Sequence, residues 1–380
     1  MINFFLRGYY KMFPPNFLKY YREIIKNEDI DSELRFLTEN FIISKSYKLV
    51  SKYWHILGIK GYKNLIEQGI QMYASTIASD YHTFTDIHDE WIDKAHENIK
   101  DIDNINLNAQ LFKKHNNFNY KSSIIYNYLC LLLFYNLKRS NVFEHLAKLQ
   151  DKSYLGFDDP NIKIEKFNIT TDKLISLLDY EKIDKAFNFE KIQTVLEIGA
   201  GSGRTSDAIL SIKKNLNYVI CDIVPTMYVS YKRLKAAFPN KKISLLVDIN
   251  DKEKLEKNIK ANDISFIFPH QLENLSNDLF DITIAIDCMH EMNKNTIRYY
   301  LDLIGKLSPN FYLSIWNKTK LPYSKTFFNK TTRLDFNKGD YNIPKDWDNH
   351  FKENLIFPSN YLSLGFKTKK TIKLMRHNNK

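Results

Sequence analysis

The chain has 380 residues, 44% hydrophobic and 14% aromatic, enough to bury a full core over two or three domains and too apolar for a disordered or fibrous polypeptide. Lys and Arg outnumber Asp and Glu by 55 to 44, for a net charge of +11 and a pI near 9.1. The basic residues are scattered among Asn, Ile and Tyr rather than gathered in a stripe, so the excess reads as solvated surface and no nucleic-acid partner is expected.

Residues 1–21 mix Phe, Leu and Tyr with Arg7, Lys11 and Lys19, without a continuous apolar core or a small-residue cleavage site, so neither a signal peptide nor a span is expected there. Residues 1–150 carry helical periodicity and few glycines, which predicts an N-terminal helical domain serving the acceptor site or oligomerisation. Trp54, Ile59, Leu65 and Ile66 mark one apolar face of it, and Trp91, Ile92 and Ile99 another. The Asp- and Asn-rich stretch 100–108 reads as an exposed connection. The most apolar window, 124–137, is interrupted by Asn127 and Asn136 and is too short to cross a membrane, so a buried helix is predicted. Cys130, Cys221 and Cys288 are odd in number and share no metal-ligand spacing, which predicts a reduced, cytoplasmic protein with no metal site.

A second domain is predicted over 151–380. Gly156 to Pro160 is turn chemistry, and Thr170-Thr-Asp-Lys caps a helix running to Phe187. Strands at 194–198, 218–221, 264–268, 281–286 and 311–316 then alternate with helices at 206–212, 226–238 and 294–307. This alternation predicts an α/β fold with a doubly wound, mostly parallel, Rossmann-like sheet. The stretch 243–247 is either a sheet strand or an inserted hairpin edge, and the end of the chain suits a closing antiparallel pair that includes 364–366 and a basic strand at 370–376.

Strand 194–198 runs directly into Gly199-Ala200-Gly201-Ser202-Gly203, a turn where backbone can approach a ligand closely. NAD, FAD and S-adenosylmethionine proteins all use such a turn, so the details decide. Dinucleotide sites space their last two glycines by two residues and aim a helix N-terminus at a pyrophosphate. S-adenosylmethionine has no phosphate and needs acidic groups for its amine and ribose hydroxyls. Asp222 suits either cofactor; Glu197, just before the first glycine, favours S-adenosylmethionine.

The stretch Leu196 to Gly203 resembles the first motif of class I S-adenosylmethionine-dependent methyltransferases, and Phe280 to Asp287 resembles their fourth strand. Further phrases at 218–225, 268–273, 287–292 and 341–347 resemble the sugar O-methyltransferase family, with a similar lead-in at 158–160 and 171–181; Cys288-Met289 stands where Ser and Leu are more familiar. The resemblance covers residues 158 to about 365 and implies methyl transfer to a sugar hydroxyl in surface polysaccharide or glycoconjugate biosynthesis. A methyltransferase acting on RNA or protein, and a cofactor-binding scaffold partnering a glycosyltransferase, are the alternatives. The expected partner is a sugar or glycan acceptor, with homo-oligomers or association with glycan-assembly enzymes left open.

The resemblance implies cofactor contacts at Glu197, Gly199, Ala200, Gly201, Gly203, Asp222 and Ile223, with His270 and Gln271 beside the adenine and Asp287 facing the transferred methyl. For chemistry, a sugar hydroxyl needs a base in line with the donor, and an unperturbed imidazole titrates near about 6.5. His290 is the expected base, Glu291 the residue that orients it or accepts a sugar hydrogen bond, and Asp287 their companion. A divalent metal acting through Asp287 and Glu291 has no supporting ligand spacing, and none is predicted. Of Trp54, Tyr81, Trp91, Trp316, Tyr341 and Trp347, Tyr81 or Trp316 is favoured to stack on a sugar ring.

Overall fold

The strands that carry the glycine turn and its neighbours are apolar on both faces: β3 (Thr194–Ile198), β4 (Asn217–Cys221), β6 (Ile264–Ile267) and β7 (Ile282–Ile286) are buried almost throughout. Such strands need helices above and below. In the computed structural model, which describes residues 17–81, 114–115, 120–150, 155–157, 160–316, 318–327, 330–337, 341–354 and 361–368, they form the centre of an eight-stranded sheet. Its order is β11-β12-β8-β7-β3-β4-β6-β5, with β5 at Ile243–Leu245, β8 at Asn310–Trp316, β11 at Asp348–Asn354 and β12 at Tyr361–Lys367. Neighbours pair parallel except at β12, which runs antiparallel to both β8 and β11. The fold is therefore a doubly wound α/β sheet closed by an antiparallel strand. The ambiguous stretch 243–247 contains a parallel edge strand, not a hairpin, because Ile243 pairs with Ile264 in parallel register.

Helices cover both faces. Those before and after the glycine turn, α5 (Thr171–Phe187), α6 (Arg204–Ile212) and α7 (Thr226–Ala237), share a core with Val195, Tyr218, Ile220 and Ile284. On the other face α8 (Lys252–Ala261) and α9 (Lys294–Leu307) bury Leu255, Ile259, Ile297 and Ile304 against Leu196, Ile198, Val219 and Ala285. The caps follow the local sequence: Thr170 accepts from the Lys173 amide, Asp251 from Lys254 and Asn293 from Thr296.

The described N-terminal part is helical: α1 (Phe17–Ile24), α2 (Ser32–Ile43), a 3-10 turn (Ser46–Leu49), α3 (Lys52–Tyr81, interrupted at Gly69) and α4 (Tyr120–Lys138). Leu34, Leu37, Phe41 and Tyr62 belong to the same core as the α5–α7 face of the sheet. In α4, Asn127 is buried and its Oδ1 lies 2.7 Å from His115 Nε2, which gives a polar residue inside an apolar helix a partner. No helix among the described residues is long and apolar enough to cross a membrane. Two hairpins escaped the sequence reading: β1–β2 (Ile162–Ile164 with Phe167–Ile169) and β9–β10 (Lys318–Phe327 with Lys330–Asn337). The expected features at Trp91, Ile92, Ile99, 100–108, 158–159 and 370–376 lie outside the described residues.

Helix α3 approaches the sheet through small residues. A Cβ on Gly61 would stand 3.0 Å from Pro225 Cγ and 3.2 Å from the Tyr73 hydroxyl. Gly61→Leu is accordingly expected to lower stability by about 1–3 kcal/mol through overpacking, measured by denaturant unfolding.

Candidate functional site

Chain order reverses between β3 and β7: β4 and β6 lie to one side, β8 to the other. In open α/β sheets the crevice at the carboxyl ends of such a pair is where ligands bind. Here it is formed by the glycine turn after β3 and the segment 287–291 after β7. Gly199, Gly201 and Gly203 all take left-handed φ values, 72°, 59° and 76°. Two of them are required by packing. A Cβ on Gly199 would lie 2.7 Å from Cys288 Cβ, and one on Gly203 3.1 Å from Ser230 Cβ. Gly201 differs: a Cβ there would meet nothing within 4 Å, so the turn opens at its middle glycine. Ala200 beside it is buried. Cys288 Sγ donates to the Ile198 carbonyl at 3.1 Å, which fixes the β7 segment against the end of β3.

Acidic groups surround this turn in a desolvated setting. Glu197 is 2% exposed and accepts a 3.0 Å hydrogen bond from the Tyr218 hydroxyl; burial pushes its carboxyl up to about 7. Asp222 accepts from the Gly201 amide at 2.9 Å through Oδ2, and from the Ile223 amide at 2.7 Å and Thr226 Oγ1 at 3.1 Å through Oδ1. Burial raises it to about 6 despite those bonds. Asp222 therefore holds the glycine turn in place, and Ile223 contributes the backbone amide next to it.

A cation enters the cluster that the sequence reading passed over. Arg204 opens α6, where the helix dipole disfavours positive charge. Its Nη1 donates to Asp179 Oδ2 at 3.0 Å and to Ser176 Oγ at 3.2 Å, both on the buried side of α5. The available signal was a pair of polar residues, Ser176 and Asp179, on an otherwise apolar helix face.

After β7, Asp287 takes φ 54°, unusual for a residue with a Cβ, while its amide donates to the Ser314 carbonyl at 3.0 Å. His290 is buried, with Nε2 3.7 Å from Asp287 Oδ1 and Nδ1 without a hydrogen-bond partner among the described residues; burial lowers its pKa. Glu291 does not orient that imidazole. Its Oε2 instead accepts from the Trp54 indole at 2.9 Å, and burial, reinforced by the charge of Asp287, pushes it up to about 8. Hairpin strand β9 lies against the 289–291 turn and α3.

The adenine-side expectations divide. His270 is half-buried, its Nδ1 2.8 Å from Ser46 Oγ and its Nε2 3.4 Å from Asn250 Oδ1, so it links the loop after β6 to the N-terminal part. Gln271 is fully buried and turned inward: Oε1 accepts from the Phe268 amide, and Nε2 donates to the Leu246 and Ile249 carbonyls. With both amide hydrogens used by backbone, Gln271 has no donor left for an adenine edge, and its position makes it a loop clamp. Among the aromatics, Trp347 packs on Phe311 and Phe366 as core and Tyr341 is buried, whereas Trp54 reaches the site. The side chains of Tyr81 and Trp316 lie outside the described residues.

The sequence matches no protein-family model and no curated protein. Among solved structures, the chain is similar to the pyocyanin biosynthetic protein PhzM, at 14% identity over 61% of this chain and 61% of that one, with a TM-score of 0.33. The chain thus spans less than two thirds of PhzM. It is also similar to Burkholderia thailandensis 1,6-didemethyltoxoflavin-N1-methyltransferase with bound 1,6-didemethyltoxoflavin and S-adenosylhomocysteine, at 14% identity over 48% and 73% of the two chains and a TM-score of 0.31. A third is the N-terminal domain of EvdMO1 in the presence of S-adenosylhomocysteine and D-fucose, at 9% identity over 55% and 91% and a TM-score of 0.33.

Two outcomes follow from the geometry. Gly199→Ala meets Cys288 as well as an unfavourable φ, while Gly201→Ala meets only the φ, so the first is expected to cost ~1–3 kcal/mol more stability in denaturant melts. The carboxyls of Glu197, Asp222 and Glu291 are all raised in the folded chain above the ~4 of an unfolded one, so the folded state holds extra protons between about pH 4 and about pH 8. Stability is therefore expected to fall as pH rises from about 4 to about 8, and Glu291→Gln to flatten the upper end of that fall.

Proposed function

We propose that the chain is an S-adenosylmethionine-dependent O-methyltransferase acting on a sugar hydroxyl in polysaccharide or glycoconjugate assembly. The observation that carries the reading is the pair of desolvated carboxyls, Glu197 and Asp222, beside the glycine turn that opens at Gly201. Carboxyls held above their ordinary range gain from a cation and are opposed by an anion. A sulfonium cofactor that also carries an ammonium group suits them; a pyrophosphate does not. Glu197, the Gly199 to Gly203 backbone, Asp222 and Ile223 are the groups that would hold such a cofactor. Bound there, it supplies a methyl group on a sulfonium, whose sulfur keeps the C–S electron pair as a thioether when an acceptor oxygen forms the new O–C bond.

The acceptor would meet the segment Asp287 to Glu291, with Trp54 as its aromatic neighbour. Support for a sugar comes from the phrases that resemble the sugar O-methyltransferase family. Three of them, at 268–273, 287–292 and 341–347, lie outside the glycine turn. Burial raises the Tyr341 hydroxyl next to the charges of Asp287 and Glu291, which puts the third phrase beside the second. The helical part before residue 150 would then supply the acceptor side of the cleft, and the remainder the cofactor side.

Calorimetry in buffers of different ionisation enthalpy tests the reading. Near pH 7, S-adenosylmethionine is expected to bind with release of protons, because a cation lowers the pKa of Glu197 and Asp222. Proton uptake, or tight binding of NAD instead, would reject it. Labelled methyl transfer to a panel of glycans and nucleotide sugars then checks the acceptor class.

A further inference from the structure

The sequence favours His290 as the base, but its setting argues for a different division of labour. The imidazole is sunk, with 9% of its side chain exposed, while Asp287 beside it is 36% exposed. A group that takes a proton from an acceptor hydroxyl must come within hydrogen-bond reach of it, and Asp287 is the one at the surface. The two ring nitrogens are also unequal. Nδ1 is buried with no hydrogen-bond partner among the described residues, whereas Nε2 lies 3.7 Å from Asp287 Oδ1, just beyond hydrogen-bond distance. A buried N–H without an acceptor is rarer in proteins than a buried acceptor with a lone pair left over. The neutral ring therefore keeps Nδ1 bare and carries its hydrogen on Nε2, facing the carboxylate. In that tautomer the nitrogen nearer Asp287 is already protonated and cannot accept another hydrogen.

The backbone supports the same assignment. Asp287 is held at φ 54°, a left-handed conformation that Asp adopts more readily than most residues with a Cβ, by the bond from its amide to Ser314 and by the Cys288 contact with the end of β3, which fixes its place at the end of β7.

We propose that Asp287 is the proton acceptor and that His290 is a positioning residue that steers it through Nε2–H. The inference rests on the methyltransferase reading. The acceptor O–H bond breaks with its electron pair left on oxygen for the new O–C bond, its proton joins an Asp287 carboxylate oxygen, and Asp287 later returns that proton to water. His290 keeps its hydrogen throughout.

Nitrogen NMR of the full chain labelled in its histidines reads the tautomer without any cofactor. The His290 signals, assigned by their loss in His290→Gln, are expected to show a protonated Nε2 and a bare Nδ1 at neutral pH; a protonated Nδ1 overturns the proposal. For function, Asp287→Asn is the first variant, since Asn also tolerates the left-handed conformation. It is expected to bind S-adenosylmethionine like wild type in calorimetry and to lose about 10²–10⁴-fold in turnover. His290→Gln, whose amide can replace Nε2–H, is expected to stay within about tenfold of wild type, and His290→Ala to fall further. Wild-type turnover in Asp287→Asn, or a loss in His290→Gln as large as that in Asp287→Asn, overturns the proposal. Failure of the wild-type chain to bind S-adenosylmethionine would instead remove the functional reading and leave the tautomer measurement standing.

Discussion

Everything in the site depends on how closely two strand ends approach. β3 and β7 are hydrogen-bonded neighbours, and the chain leaves both at the same level of the sheet. Only a residue without a Cβ at 199 lets Cys288 pack there, and only that packing lets Cys288 bond the Ile198 carbonyl. The glycine turn and the 287–291 segment are thereby fixed relative to each other. The two sides of the crevice are set by one van der Waals contact, with Asp222 bracing the turn from the next strand.

Burial does the second part of the work. Glu197, Asp222 and Glu291 sit where water cannot solvate a full set of negative charges, and each is pushed upward in response. Each of the three therefore contributes less to stability at neutral pH than in acid. The Asp179–Arg204 pair adds to this order from below, since it fixes the first turn of α6 to α5 and lets a charge opposed by the helix dipole remain there.

The sheet was largely legible because buried parallel strands read as short apolar runs and glycines cannot be hidden. Glu197, Asp222 and the 287–291 segment were found by their places relative to those runs. What the sequence concealed was direction. Gln271 lies in the expected loop but faces inward, and Glu291 lies beside His290 but pairs with Trp54, 237 residues away. Ser46 and His270 are 224 residues apart. Long-range pairs of this kind leave no periodic trace, and neither did the bond of Arg204 to Asp179. The β9–β10 hairpin was missed for a local reason: its Lys- and Thr-rich strands have little apolar alternation to announce them.

Helix α3 and the 3-10 turn before it touch three loops at the carboxyl edge of the sheet: Pro225 after β4 through Gly58 and Gly61, His270 after β6 through Ser46, and Glu291 after β7 through Trp54. Their partners lie more than 160 residues further along the chain. Until those loops have emerged from the ribosome, the faces of α3 and the 3-10 turn that meet them stay uncovered. Closing such distant contacts is slow, and the exposed surface meanwhile invites association with other chains. Completion of the crevice is thus a late event in synthesis, and the segment that ties these three loops together is also the part most in need of protection while they are being made.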